Sequence, residues 1–218
     1  MPICGSSPKL GTTVAARPHI LLGVPLVFPD PPLAADGIVL RGLVPGDVPW
    51  ITAACSAREL SRYIPAIPYP YAEADAEGFI ERAARAWAES SAATFVISQA
   101  PDGASLGTIG LHLAAGDAGL AEVGYWLARQ ARGHGAATIA VQLVSRWAFT
   151  ELGIERLSLQ TAPGNVASQR VAERAGFTRE GLLRAWMPTP GGRRPSVMFS
   201  LLATDMTAAW RTPLIKDL

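Results

Sequence analysis

Ala121-Glu122-Val123-Gly124-Tyr125-Trp126-Leu127, followed after two residues by Gln130-Ala131-Arg132-Gly133-His134-Gly135-Ala136-Ala137, is the stretch whose reading decides the fold. The first part reads as a β-strand. The second opens a helix that begins near His134 and ends by Gly153, with Ala136, Ala140, Leu143, Val144 and Trp147 on one apolar stripe. A helix N-terminus leaves backbone N–H groups unpaired and carries partial positive charge. Glycines remove the Cβ atoms that would hold an anion away from those groups. Strand, two-glycine loop and helix start together make a phosphate cradle.

Spacing excludes the two commoner cradles. A P-loop needs Gly-x-x-x-x-Gly-Lys-Ser/Thr, and lysine occurs in this chain only at Lys9 and Lys216. A dinucleotide fingerprint needs a third glycine and the first strand of a parallel unit. Here the third glycine is missing, and the loop follows a strand in the antiparallel part of the chain.

Upstream, Ile38 to Leu43 reads as a strand, Val48 to Leu60 as one helix, and Tyr63 to Tyr71 as a proline- and tyrosine-rich loop before a helix over Glu73–Ser90. Strands at Ala93–Ser98 and Leu106–Leu113 flank the turn Pro101-Asp102-Gly103. Downstream come a strand at Glu155–Gln160 and a helix capped by Asn165 and ended by Gly176. Closing strands at Phe177–Met187 and Pro195–Leu202 are joined by Pro190-Gly191-Gly192. The order β-α-α-β-β-β-α-β-α-β-β predicts an α/β domain with a mixed, mostly antiparallel sheet flanked by helices. Its expected limits are residues 36–204, between an N-terminal arm (1–35) and a C-terminal tail (205–218).

The chain has 218 residues, 49% of them hydrophobic, which is enough for one full core. A formal net charge of +1 gives no footprint for nucleic acid or for a membrane surface. Cys4 and Cys55 make no metal or redox spacing, so no metal is expected and a reducing, cytoplasmic setting is implied. The apolar run Ile20–Phe28 is too short to span a bilayer and is interrupted by Pro25. It reads as an arm packing on a surface groove or on a partner chain, the latter making a homodimer.

Five pieces now stand in order: Arg62–Phe79, Glu122–Leu127, Gln130–Ala137, Asn165-Val166-Ala167-Ser168, and Ala175-Gly176-Phe177-Thr178-Arg179-Glu180-Gly181. On these the chain resembles the GNAT superfamily of acyl-CoA-dependent N-acyltransferases, closest to its RimJ/RimL-type branch, over about Gly37–Ala203. The resemblance implies the GNAT fold with splayed central strands, and acetyl-CoA or another acyl-CoA as co-substrate. The acceptor would be an amine on a protein N-terminus or a small molecule. Gln130, Arg132, Gly133, His134, Gly135 and Ala136 would hold the pyrophosphate, chiefly through backbone N–H groups, with Arg132 adding charge. Trp126 and Leu127 would lie along the pantetheine arm, as in strand addition, and Asn165 would bind that arm besides capping its helix.

Glu122 is the candidate general base, since a lysine-like amine is almost wholly protonated at pH 7. A carboxylate satisfied by a neighbouring backbone group or arginine, with water as base, is its competitor. The stretch Leu183-Arg184-Ala185-Trp186-Met187, where some RimL-type members carry a base, offers no carboxylate. Ser168 reads either as the group that protonates the departing thiolate or as part of the Asn165 cap. Tyr63, Tyr69, Tyr71 and Trp87 are candidates to line an acceptor pocket, although such an aromatic stripe is more often core. A non-catalytic CoA-binding module of the same fold is the alternative function.

Overall fold

Alternating apolar side chains along successive strands build the centre of the molecule. The computed structural model describes residues 26–206, and among these eight strands form one sheet. They are β1 (Ala34–Ala35), β2 (Ile38–Gly42), β3 (Ala92–Gln99), β4 (Ser105–Leu113), β5 (Leu120–Leu127), β6 (Arg156–Thr161), β7 (Thr178–Thr189) and β8 (Gly192–Leu202), in the order β1-β2-β3-β4-β5-β6-β8-β7. All neighbours are antiparallel except β5 and β6. A parallel pair needs a crossover, and a helix supplies it here. The helices are α1 (Val48–Cys55), α2 (Arg58–Tyr63), α3 (Glu73–Ala88), α4 (Ala136–Thr150) and α5 (Val166–Arg174).

The single helix expected over Val48–Leu60 is two. Ala57 takes extended backbone, φ −71 and ψ 113, and caps α2. Ile51, Cys55 and Leu60 share one buried cluster. In a continuous helix Leu60 would point away from Ile51, nine residues being two and a half turns. The break turns all three inward.

Period two sends alternate residues to opposite faces of the sheet. One face carries Phe95, Ile109, Leu111, Val123 and Leu159 under the α4 stripe of Ala140, Val144 and Trp147, all buried. Phe95 stands edge-on to Trp147 at 5.6 Å and to Trp87 at 5.3 Å. Trp87 therefore packs with the core, the commoner of the two readings its aromatic character allowed. Its Nε1 donates to the Leu26 carbonyl at 2.9 Å, and Leu26 N donates to Ser90 Oγ at 2.9 Å. This end of the arm lies along α3, while residues 20–25 and the tail 207–218 fall outside the described residues. The sheet itself begins at β1, two residues before the expected domain limit.

The opposite face is covered by α1, α2 and α3 around Ile51, Ile67, Ala76 and Trp126. Asp47, 2% exposed, anchors the entry to α1. It accepts from Arg41 Nη1 and Nη2 at 2.9 and 2.7 Å, from Trp50 Nε1 at 2.6 Å and from Val44 N at 2.8 Å. Burial alone would raise its pKa, but the bonds to Arg41, Trp50 and Val44 outweigh burial and hold it below the usual carboxylate value. A depressed pKa stabilises the fold above the ordinary carboxylate range, and that contribution is lost as pH falls through the folded value. Asp47→Asn is expected to cost about 2 kcal/mol at pH 7, a buried-pair loss discounted for the partly exposed Arg41. The cost should shrink below about pH 4, where the unfolded chain's carboxylate begins to bind protons that the folded one still resists. Urea unfolding of both proteins across that range checks it, and a difference independent of pH would refute the assignment.

Candidate functional site

β5 and β6 separate. They pair only at Leu120↔Arg156, Ala121↔Leu157 and Glu122↔Ser158, while β5 runs on to Leu127 and β6 to Thr161. Between them a split opens through the middle of the sheet.

The β4–β5 ladder decides which backbone groups face that split. Ala114 N donates to Leu120 O at 2.9 Å at one end, and Ala128 N to Leu106 O at 2.8 Å at the other, in a single register throughout. Antiparallel neighbours alternate between bonded and non-bonded pairs. Even-numbered residues of β5 therefore bond to β4, and odd-numbered ones turn toward β6. Ser158 Oγ donating to Ala121 O at 3.3 Å agrees with this parity. Val123, Tyr125 and Leu127 face the split. Trp126 directs its backbone groups to β4, and its indole is buried 5.7 Å from the Trp50 ring. Of the two residues expected to line the pantetheine arm, Leu127 alone has backbone groups facing it. Val123 and Tyr125 escaped the sequence because parity requires the register.

Beyond Leu127 a 3-10 turn (Arg129–Ala131) carries the exposed Gln130. Gly133 and Gly135 both have φ +87, and a Cβ at either would meet nothing within 4 Å. Gly135 is the N-cap of α4 and offers no side-chain cap, so the first-turn N–H groups from Ala136 onward are left to an external acceptor. His134 is exposed and Ala136 buried. Arg132 departs from expectation. Its Nε and Nη2 donate to Leu127 O at 3.1 and 3.0 Å, and Nη1 pairs with Glu59 on α2. The guanidinium ties the loop to β5 and α2 instead of standing free for phosphate.

Glu122 lies at the root of the split, on the face carrying α1–α3. Gln160 Nε2, from across the split, donates to Glu122 Oε1 at 2.8 Å. Because a carboxylate only accepts, this bond fixes the amide's orientation. Among the described residues Gln160 Oε1 is then a buried acceptor without a partner, an expensive group that calls for an explanation. His112 stands directly opposite Glu122 on β4, and Gly110 opposite Gly124. A Cβ on Gly110 would come within 3.1 Å of His112 Nε2, and one on Gly124 would meet nothing. Gly124 leaves the sheet bare beside the carboxylate, while the His112 ring and Thr94 fill the space over Gly110. Gln160 and His112 have no local sequence signal, since both reach Glu122 through strand pairing.

On the other face, Asn165 Oδ1 accepts from Ser168 N at 3.2 Å, which is the expected cap. The Tyr125 hydroxyl donates to Ser168 Oγ at 3.1 Å, and burial raises its pKa, so it keeps that proton. The split thus has a carboxylate–amide pair on one side and a tyrosine–serine pair on the other. Tyr71 is half-buried with its pKa pushed up to about 12, chiefly by burial, while Tyr69 is 55% exposed. Among the described residues no group of three or more His, Cys, Asp or Glu could hold a metal ion, and no helix is long and apolar enough to cross a membrane.

Comparison with known proteins agrees with this geometry. The family described as "Acetyltransferase (GNAT) domain" matches residues 38–178. The chain is 38% identical over 104 residues to "Putative ribosomal N-acetyltransferase YdaF" of Bacillus subtilis (strain 168), covering 48% of this chain and 57% of that protein. It therefore spans a little over half the length of that curated relative. Mycobacterium smegmatis RimJ in complex with CoA-disulfide superposes with a TM-score of 0.72 at 22% identity, over 80% of this chain and 86% of RimJ. RimL, a ribosomal L7/L12 α-N-protein acetyltransferase in complex with coenzyme A, gives a TM-score of 0.70 at 19% identity, over 78% and 97%. With a split central sheet, an uncapped α4 behind a two-glycine loop and a family match over 38–178, this chain belongs to the GNAT acetyltransferase family and has the fold of the RimJ and RimL structures.

Proposed function

We propose that the protein transfers an acyl group, most simply acetyl, from acyl-CoA to the primary amine of a protein N-terminus by direct attack. The observation that carries this reading is the split itself, with a carboxylate on one face, a hydroxyl pair on the other and a phosphate cradle at its open end. YdaF and RimL, by their names, modify ribosomal proteins, which supports a protein acceptor.

In this reading the loop N–H groups from Arg132 to Ala136 hold the pyrophosphate. Each charge-assisted bond is worth roughly 1.5–3 kcal/mol. Val123 and Tyr125 offer backbone groups to the amides of the pantetheine arm and Leu127 its N–H, its carbonyl being held by Arg132, and one of these N–H groups stabilises charge developing on the acyl oxygen. The bare surface at Gly124 admits the amine. Glu122, steadied by Gln160, takes its proton as the new C–N bond forms. The C–S bond breaks, and Ser168 donates a hydrogen bond to the departing thiolate, which takes its proton from solvent; because Tyr125 donates to Ser168 Oγ, the serine's own hydrogen is turned elsewhere.

Acetyl-CoA at a hundred times its dissociation constant is expected to stabilise the fold by about 2.7 kcal/mol. NAD should give no shift, and peptides with a free N-terminus should release CoA thiol. Absence of a thermal shift with acetyl-CoA would end this reading. A shift without turnover on any amine would reduce the protein to a CoA-binding module.

A further inference from the structure

The β7–β8 hairpin and α2 frame the open end of the split. β8 pairs with β6 only as far as Val197↔Thr161, so the rest of the hairpin overhangs the end of β6. That is the end toward which the parallel strand β5 runs free. Arg194 Nη1 reaches the Arg62 carbonyl of α2 at 3.5 Å, and α2 is tied to the glycine loop through Glu59 and Arg132. Hairpin, α2 and loop form one rim.

The charge on this rim is of one sign. Arg58 and Arg62 project from α2, and Arg184, Arg193 and Arg194 from the hairpin, all exposed. None of the five has a carboxylate partner among the described residues. No acidic residue occurs from Leu60 to Ala72 or from Gly181 to Thr204, and Glu59 is neutralised by Arg132. The whole chain carries a net charge of only +1, so this concentration is local. Trp186 (47% exposed) stands beside Arg184 and Arg193 on the hairpin, and Arg193 Nη2 donates to its carbonyl.

We infer that the acceptor is an acidic polypeptide N-terminus, an extended segment whose first residues carry Asp or Glu side chains read by these arginines. The inference rests on the acyl-transfer reading above and adds the substrate class. Guanidinium forks match carboxylates in bidentate geometry, and rim charges of one sign raise encounter with the opposite charge and disfavour cationic partners. Arginines spread over α2 and the hairpin, with the exposed Trp186 beside those of the hairpin, fit a chain of several residues better than a compact anion.

The test uses three C-terminally labelled peptides with free serine N-termini. Aspartate and glutamate follow the serine in one, their amides in the second and lysine in the third. Anisotropy on the acetyl-CoA-saturated protein at low salt should show the acidic peptide binding about tenfold tighter than its amide twin, the product of a few rim ion pairs. The lysine peptide should be weakest, and the differences should shrink as salt screens them. Arg184→Gln together with Arg194→Gln should bring the acidic-to-amide ratio close to one, whereas Arg85→Gln, on α3 and off the rim, should leave it unchanged. Equal affinities for the three peptides would overturn the inference. An aminoalkyl phosphate that displaces the label at lower concentration than the acidic peptide would overturn the choice of a peptide. CoA thiol release is read separately. Tight acidic binding without release defeats the transfer reading and leaves the surface standing; release at equal kcat/KM for all three does the reverse.

Discussion

Glu122→Gln is expected to lower kcat by about 10²–10⁴-fold at pH 7, the range a positioned base contributes, with acetyl-CoA affinity unchanged. The substituted amide keeps an oxygen that can accept from Gln160 Nε2, so the bond across the split survives and only proton acceptance is lost. The size of the loss should follow the acceptor. A lysine-like amine with pKa near 10.4 needs about 4.6 kcal/mol to deprotonate at pH 7, whereas an α-amino group near 7.8 needs only about 1 kcal/mol. Glu122→Gln should therefore hurt a lysine-like acceptor more than a peptide N-terminus, and the two losses should converge as pH rises. Profiles of kcat/KM against pH for both acceptors decide it. If variant and wild-type profiles run parallel, water is the base and Glu122 is an ordinary strand carboxylate satisfied by Gln160.

Gly107→Ala is expected to cost about 3 kcal/mol of stability, lowering the melting midpoint by roughly 6–12 °C for a chain of this size. A Cβ there would stand 2.1 Å from the Trp126 carbonyl oxygen and 2.8 Å from Leu127 Cα, both backbone atoms that no rotamer change can move aside. Relief must come from shifting the end of β5, where Leu127 faces the split and receives Arg132. Acetyl-CoA affinity should fall together with stability. Gly46→Ala, where an added Cβ would meet nothing within 4 Å, is the matched control and should leave both close to wild type. A Gly107→Ala protein with an unchanged midpoint would mean that β5 yields more easily than the close approach implies.

How much could be read beforehand depends on how local each signal is. The loop glycines, the Asn165 cap and the strand carrying Glu122 are set by side chains within a few residues, where backbone propensity and hydrogen-bonding chemistry act directly. All three stand where the pattern put them. The break between α1 and α2 was missed because Leu60 turns inward to a cluster built from distant segments. The side chain of Arg132 is placed by a related effect. Its sequence neighbours suggested phosphate, but Leu127 O and Glu59 compete for its donors and are brought close only by the fold.

By itself the sequence determined the order of the main strands and helices, apart from β1 and the division of the first helix, together with the two-glycine loop and the place of Glu122 on β5, because each depends on contacts along the chain. Only the tertiary structure decided that Val123, Tyr125 and Leu127 face the opening, that Gln160 steadies Glu122 while Tyr125 turns Ser168, and that five arginines gather on one rim. Strand parity, the parting of β5 from β6 and the overhang of the hairpin are properties of register, and register is fixed by the packing of whole faces rather than by any one stretch.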